Sequence, residues 1–166
     1  STPYRSTRLV GAHFGGTRNP MAVSWPRGIK ADAVARPQFH HVIDVVPTIY
    51  EVTKITPPRV VNGVEQDSFD GVSIAYAFGD AKAPGTRKTQ FFDIMASRGI
   101  YHDGWYACAF GPREPWIAGM PKGIKEWSPE KDKWELYNLE EDWSQANDLA
   151  DKMPEKLARS RARWLV

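Results

Sequence analysis

Apolar and polar positions along this chain change period three times. Met21-Ala22-Val23-Ser24-Trp25 is a short apolar run closed by Pro26-Arg27-Gly28, and it predicts a buried strand. A second strand is predicted over 38–43, in Gln38-Phe39-His40-His41-Val42-Ile43. From Val45 the spacing turns helical. Val46, Ile49 and Tyr50 fall on one face, so a short helix is predicted over 45–54. Asp44 stands where an N-cap belongs, and Pro47 then sits in the first turn, where its missing N–H costs nothing. Thr56-Pro57-Pro58 stops this helix. Residues 60–87 read as loop, with residues 71–76 open between helix and strand.

Beyond residue 88 the period becomes two. Strands are predicted at 89–94, 98–102, 105–110 and 134–137. Asp103-Gly104 joins the second and third as a tight hairpin, because a type I′ turn needs positive φ. Residues 111–123, rich in Pro and Gly, read as loop. Residues 154–165 read as a terminal helix, with Pro154 at its start and Leu157, Arg161 and Trp164-Leu165 on one face. The predicted fold class is α/β: the end of a larger catalytic domain over residues 1–87, then a small antiparallel sheet of about four strands over 88–166, packed with a C-terminal helix.

Composition narrows the function classes. The chain has 166 residues, of which 42% are hydrophobic and 25% charged, with net charge +2, so it is neither a disordered tail nor a fibre. No apolar run reaches the ~20 residues of a membrane span. Charge is uneven: residues 1–60 carry +5, 61–121 carry −2 and 122–166 carry −1. The acid-poor first third could face an anion, yet no basic cluster with interleaved aromatics argues for nucleic acid. Cys108 is the single cysteine and lies mid-strand in Ala-Cys-Ala, as a small buried hydrophobe would. His40 and His41 alternate along a strand and cannot share a metal. No zinc-ligand spacing, nucleophile elbow or phosphate loop is present. The segment with chemical promise is Arg8-Leu9-Val10-Gly11-Ala12-His13-Phe14-Gly15-Gly16-Thr17-Arg18. Two adjacent glycines permit close backbone approach, and Arg8, His13 and Arg18 can each bind an anion's oxygens; an ordinary Gly-Gly turn with surface arginines is the competing explanation.

Several segments together resemble a known family. Thr2-Pro3-Tyr4, Arg8 and His13-Phe14-Gly15-Gly16-Thr17-Arg18-Asn19-Pro20, followed by Ser24-Trp25-Pro26, resemble the "GG-x-R-x-P … WP" stretch of bacterial arylsulfatases. Val42-Ile43-Asp44-Val45-Val46-Pro47-Thr48 is similar to their "V-x-D-x-x-P-T" segment. Trp134-Glu135-Leu136-Tyr137-Asn138-Leu139, with Asp142 and Asn147-Asp148-Leu149-Ala150, is similar to their "ELY-[DN]-L" tail. The matches occur in family order.

The resemblance implies the C-terminal portion of a sulfuric ester hydrolase of the alkaline-phosphatase-like superfamily. In that family a cysteine in C-x-P-S-R becomes formylglycine, whose hydrate attacks sulfur, and a calcium or similar divalent ion polarises the sulfate. This chain contains no C-x-P-S-R and no Asp-Asn metal pair, so both belong by implication to a preceding catalytic segment, and no metal ligand is expected here. The expected partners are a small-molecule sulfate ester and that segment. Arg8 falls where the family carries a sulfate-contacting lysine. Arginine keeps the charge and adds a bidentate fork, but it is no proton donor. His13 and Arg18 match positions that support substrate binding, and Gly15 and Gly16 shape the turn beside them. Trp105, Trp116 and Trp127 either line a cavity wall or belong to the core. Two other readings stand beside this one: a non-catalytic binding module, and the same superfamily acting on phosphate or phosphonate esters. The sequence is silent on localisation, cytoplasmic or periplasmic. On the fragment reading, residues 21–25 and 38–43 lack sheet neighbours, so the chain alone should expose apolar surface and associate.

Overall fold

The computed structural model describes residues 3–112, 114, 117, 119, 121 and 124–164. In chain order the main elements are α1 (Phe14–Thr17), α2 (Val45–Thr53), β1 (Val60–Val61), β2 (Val64–Glu65), α3 (Tyr76–Gly79), β3 (Thr89–Ile94), β4 (Ser97–His102), β5 (Trp105–Ala109), β6 (Trp134–Asn138) and α4 (Pro154–Trp164). The chain forms two compact units, one of residues 1–20 with 89–166 and one of residues 21–88. As compact units these run differently from a 1–87 and 88–166 division, because the first twenty residues pack on the C-terminal sheet.

That sheet is an antiparallel meander in the order β3-β4-β5-β6. Asp103 and Gly104 make the β4–β5 turn with positive φ, as their sequence predicts. The β3–β4 turn uses Met95 and Ala96, both at positive φ without a glycine. Alternation along each strand then sorts side chains to two faces. On one face Tyr106, Cys108 and Tyr137 form a core with Val10, Ala12 and Phe14 from the first twenty residues. On the other, Ile100, Ala107, Ala109, Trp134 and Leu136 pack with Ala150 and with Leu157 of α4. Helix α4 carries Glu155 in its first turn and Arg161 and Arg163 in its last, which suits the helix dipole. The outer edge of β6 is covered: Leu136 donates its N–H to Asp148 (3.0 Å) and accepts from Leu149 (2.8 Å).

Trp105, Trp127 and Trp134 of this unit belong to packing. The Trp127 and Trp134 rings lie 5.8 and 5.3 Å from the buried Arg98 guanidinium, which pairs with Asp132 at 2.9 Å. Lys156 sits over Trp105. Trp116 lies outside the described residues.

Gly99 faces the core that the first twenty residues complete. A Cβ there would stand 2.4 Å from Tyr106 Oη, whose hydroxyl donates to the Gly11 carbonyl at 2.6 Å. Gly99→Ala should therefore push this buried phenol off its acceptor and cost about 1–3 kcal/mol. A urea midpoint unchanged from wild type would show that the contact is dispensable.

The unit of residues 21–88 is organised around Asp44, which is fully buried. Its carboxylate accepts the N–H groups of His41 (2.8 Å) and Val72 (2.9 Å) and pairs with Arg87. Thr48 donates to the Asp44 carbonyl (2.6 Å) and accepts the Ile74 N–H (3.0 Å). The D-x-x-P-T pattern is thus a device that pins residues 72–74 to the start of α2. Helix α2 spans Val45–Thr53 and ends at Lys54 in the left-handed region. Asp44 precedes it as expected, but its side chain caps no N–H of α2; it turns back to His41 instead.

Two sequence expectations fail in this unit. Residues 21–25 form no strand, and all five are exposed. Residues 38–43 form no strand either: Val42–Asp44 is a turn of 3-10 helix. A strand needs a neighbour's backbone, and among the described residues neither segment has one. His40 is structural, its ring nitrogen 3.1 Å from Tyr76 Oη. Within the stretch read as loop, Asn62-Gly63 turns a small β1–β2 hairpin, both at positive φ. Residues 71–75 resolve as irregular chain, and Tyr76 opens the short α3. Val42, Val46 and Ile49 make an exposed apolar stripe, with Val42 74% accessible. Among the described residues no helix is long and apolar enough to cross a membrane.

Candidate functional site

The candidate site is built by residues 3–20 folded against β5 and β6. Glu135 is the one charged residue of β6, and it shares its face with Tyr137. Its carboxylate accepts from His13 Nε2 at 3.0 Å, Tyr137 Oη at 2.8 Å and Arg5 Nη1 at 3.1 Å through one oxygen, and from Arg5 Nη2 at 3.3 Å through the other. His13 is buried, and its second nitrogen meets Ser6 Oγ at 2.8 Å. The Gly15 N–H reaches the Arg5 carbonyl at 2.9 Å, and Phe14 N–H donates to Gln145 Oε1 at 2.7 Å. Residues 5–6 and 13–15 are thereby tied into one closed loop.

The two glycines serve this closure. A Cβ on Gly15 would lie 2.2 Å from the Ser6 carbonyl oxygen, and one on Gly16 would lie 2.1 Å from that of Val10. Neither backbone can yield, so only glycine fits. Arg18 lies over the rings of Tyr4 and Phe14, at 5.3 and 5.6 Å, and donates to the Trp143 carbonyl at 3.1 Å. Arg8 stands apart. It is exposed, and unlike Arg5 and Arg18 it has no carboxylate, carbonyl or ring partner among the described residues. Ser6 and Leu9, on either side of it, both take left-handed backbone (φ 62 and 68). The sequence reading singled out Arg8, His13, Arg18 and the glycine pair, and four of these five turn out to build the loop that presents Arg8. It missed Arg5, Ser6, Glu135 and Tyr137. The available signal was a carboxylate between Trp134 and Leu136 inside a strand, two positions from a tyrosine on the same face.

Burial opposes ionisation of Glu135, but its donors His13, Tyr137 and Arg5 outweigh it and hold the carboxyl at about 2, down from an ordinary 4.5. Burial raises the Tyr137 phenol, and so does its hydrogen bond to Glu135. A carboxyl depressed in the folded state stabilises the protein above its unfolded pKa, and this contribution is lost as pH falls through the folded value. The shift corresponds to roughly 3 kcal/mol at most, withdrawn between pH 4.5 and about 2. Urea titrations at pH 6, 4.5 and 3 should therefore show a steeper acid loss in wild type than in Glu135→Gln. Parallel slopes would contradict the assignment.

His13, Cys108 and Glu135 offer ligand atoms within 4.8 Å of one another. This set does not fit the divalent ion of the resemblance, which prefers six to eight oxygens. His13 and Glu135 are also committed to each other and to Ser6, Arg5 and Tyr137. Burial and the nearby Glu135 push the Cys108 thiol far up, so it is neither a ready metal ligand nor a nucleophile. Among the described residues this trio is the one group placed to share an ion.

No family model matches the chain. An uncharacterized sulfatase of Schizosaccharomyces pombe (strain 972) is 27% identical over 161 residues, which are 92% of this chain and 25% of that protein. Among solved structures, the Bacteroides thetaiotaomicron protein BT33336S-sulf, described with that organism's metabolism of multiple glycosaminoglycans, superposes with TM-score 0.62 at 20% identity over 97% of this chain and 31% of its own. Ps i-CgsB superposes with TM-score 0.65 at 18% identity, over 98% and 32% respectively. The fold is that of a sulfatase region. With the sequence match, the chain is sulfatase-like, in accord with the C-terminal sulfatase portion its motifs resemble, and it spans about a quarter to a third of the length of these relatives.

Proposed function

We propose that this chain is the part of a sulfuric ester hydrolase that binds the sulfate group, with Arg8 as its contact. What carries the reading is the alignment with a sulfatase over 92% of the chain. What points to Arg8 within it is exposure: it is a free guanidinium held on a closed loop. A guanidinium offers two parallel N–H donors to two sulfate oxygens and neutralises the charge that gathers on them as the ester bond breaks. A guanidinium is no proton donor to an alcohol, so the leaving alcohol takes its proton from another group. His13 fixes the loop from inside, and Arg18 braces it from outside by lying on Tyr4 and Phe14. The nucleophile and the divalent ion that the family uses are supplied, on this reading, by a segment outside these residues. The 166-residue chain alone should therefore show no turnover of 4-nitrophenyl sulfate. Turnover by the purified chain, with contaminating enzyme excluded by an inactive control preparation, would refute the division of labour.

A further inference from the structure

We propose that Glu135 is a positioning residue for this anion site: without touching the ligand, it fixes both ends of the loop that presents Arg8. The inference rests on the assignment of Arg8 above. Glu135 belongs to β6, more than 120 residues along the chain from the loop. One of its carboxylate oxygens holds His13 and Arg5 together, at 3.0 and 3.1 Å. These residues lie on either side of the stretch 6–12, which contains Arg8. Ser6 Oγ meets His13 Nδ1 at 2.8 Å and so closes the same loop a second time, within its own residues. Loops of this length whose ends are clamped are compact and carry side chains in fixed directions.

Charge supports the same role. Arg5 lies against Glu135 and offsets its negative charge, while Tyr137 also donates to it. An anion approaching Arg8 therefore meets a positive side chain beside a paired, locally neutral network. A cation already ordered before binding gives up less conformational freedom when the ligand arrives, so the clamp should act on affinity. If the carboxylate were only a support for the sheet, its loss would reduce the amount of folded enzyme and leave the affinity of the survivors intact.

The test uses the complete polypeptide that contains this chain, assayed with 4-nitrophenyl sulfate, with Tm recorded for every variant. Glu135→Gln is nearly isosteric and removes the charge. It should raise KM about 10-fold and leave kcat within about 2-fold, the pattern of lost binding common to ground and transition states. In an Arg8→Ala background the same substitution should raise KM no further, because the two residues act as one unit. Arg5→Gln is the second variant, at a side chain 44% accessible, where folding is least at risk. It should raise KM several-fold by the same logic. A Glu135→Gln enzyme with reduced kcat and unchanged KM, or a KM effect that persists in full on Arg8→Ala, would overturn the positioning role. So would an Arg5→Gln enzyme of wild-type KM. If Arg8→Ala itself leaves KM unchanged, the assignment of Arg8 fails and this inference falls with it; failure of Glu135→Gln alone leaves that assignment standing.

Discussion

Asp44→Ala should cost roughly 3–5 kcal/mol, the largest effect on stability expected of any single substitution described above. The substitution removes the fully buried carboxylate with which Arg87, a side chain 9% accessible, forms its ion pair. It also removes the acceptor of two backbone N–H groups, at His41 and Val72. Burial penalises ionisation of this carboxyl, yet Arg87 and the two N–H groups still hold it below its ordinary value, so the native state favours the charged form. The effect should spread along the chain of bonds that Thr48 continues to Ile74. Hydrogen exchange should show the Val72 and Ile74 amides losing protection before the β4–β5 amides do. Asp44→Asn keeps an acceptor but no charge, and it should fall between wild type and alanine. A loss below about 1 kcal/mol for Asp44→Ala would mean that the ion pair is balanced by its own desolvation.

In the complete polypeptide, Arg8→Ala should lower kcat/KM for an aryl sulfate about 100-fold, in line with truncating one partner of a close charge pair. Most of the loss should fall on KM, since a guanidinium that grips the sulfate does so before and during bond cleavage. Arg8→Lys should recover much of it, because the charge remains and only the bidentate fork is gone. The melting temperature of both variants should match wild type, since Arg8 is exposed and holds nothing in place. An equal loss in Arg8→Ala and Arg8→Lys would point to geometry over charge. No loss in either would remove Arg8 from the site.

Much of the C-terminal sheet is legible in the sequence because its signals are local. Period-two alternation marks β3 to β6, Asp103-Gly104 marks the turn, and Pro154 with Glu155 marks the start of α4. Other features are set by distant partners. Met95 and Ala96 turn without glycine because the β3–β4 register requires it, Ile94 standing opposite Ser97. Nothing in Val10, Ala12 or Phe14 announces that they complete a core with Tyr106 and Tyr137. Asn62-Gly63 was a readable signal that the surrounding loop-like composition obscured. Residues 21–25 mislead for the opposite reason: the apolar run is genuine, but its residues lie exposed, without a pairing strand among those described. At the site, Gly15 and Gly16 were legible as a place of close approach. The direction was not: the glycines accommodate the chain's own carbonyls, those of Ser6 and Val10.

The most direct measurement is the ratio of kcat/KM for 4-nitrophenyl sulfate to that for 4-nitrophenyl phosphate, taken on the complete polypeptide. A sulfatase assignment predicts that the sulfate is the better substrate and that Arg8→Ala lowers its turnover. Preference for the phosphate ester, or no hydrolysis of the sulfate at all, would contradict it.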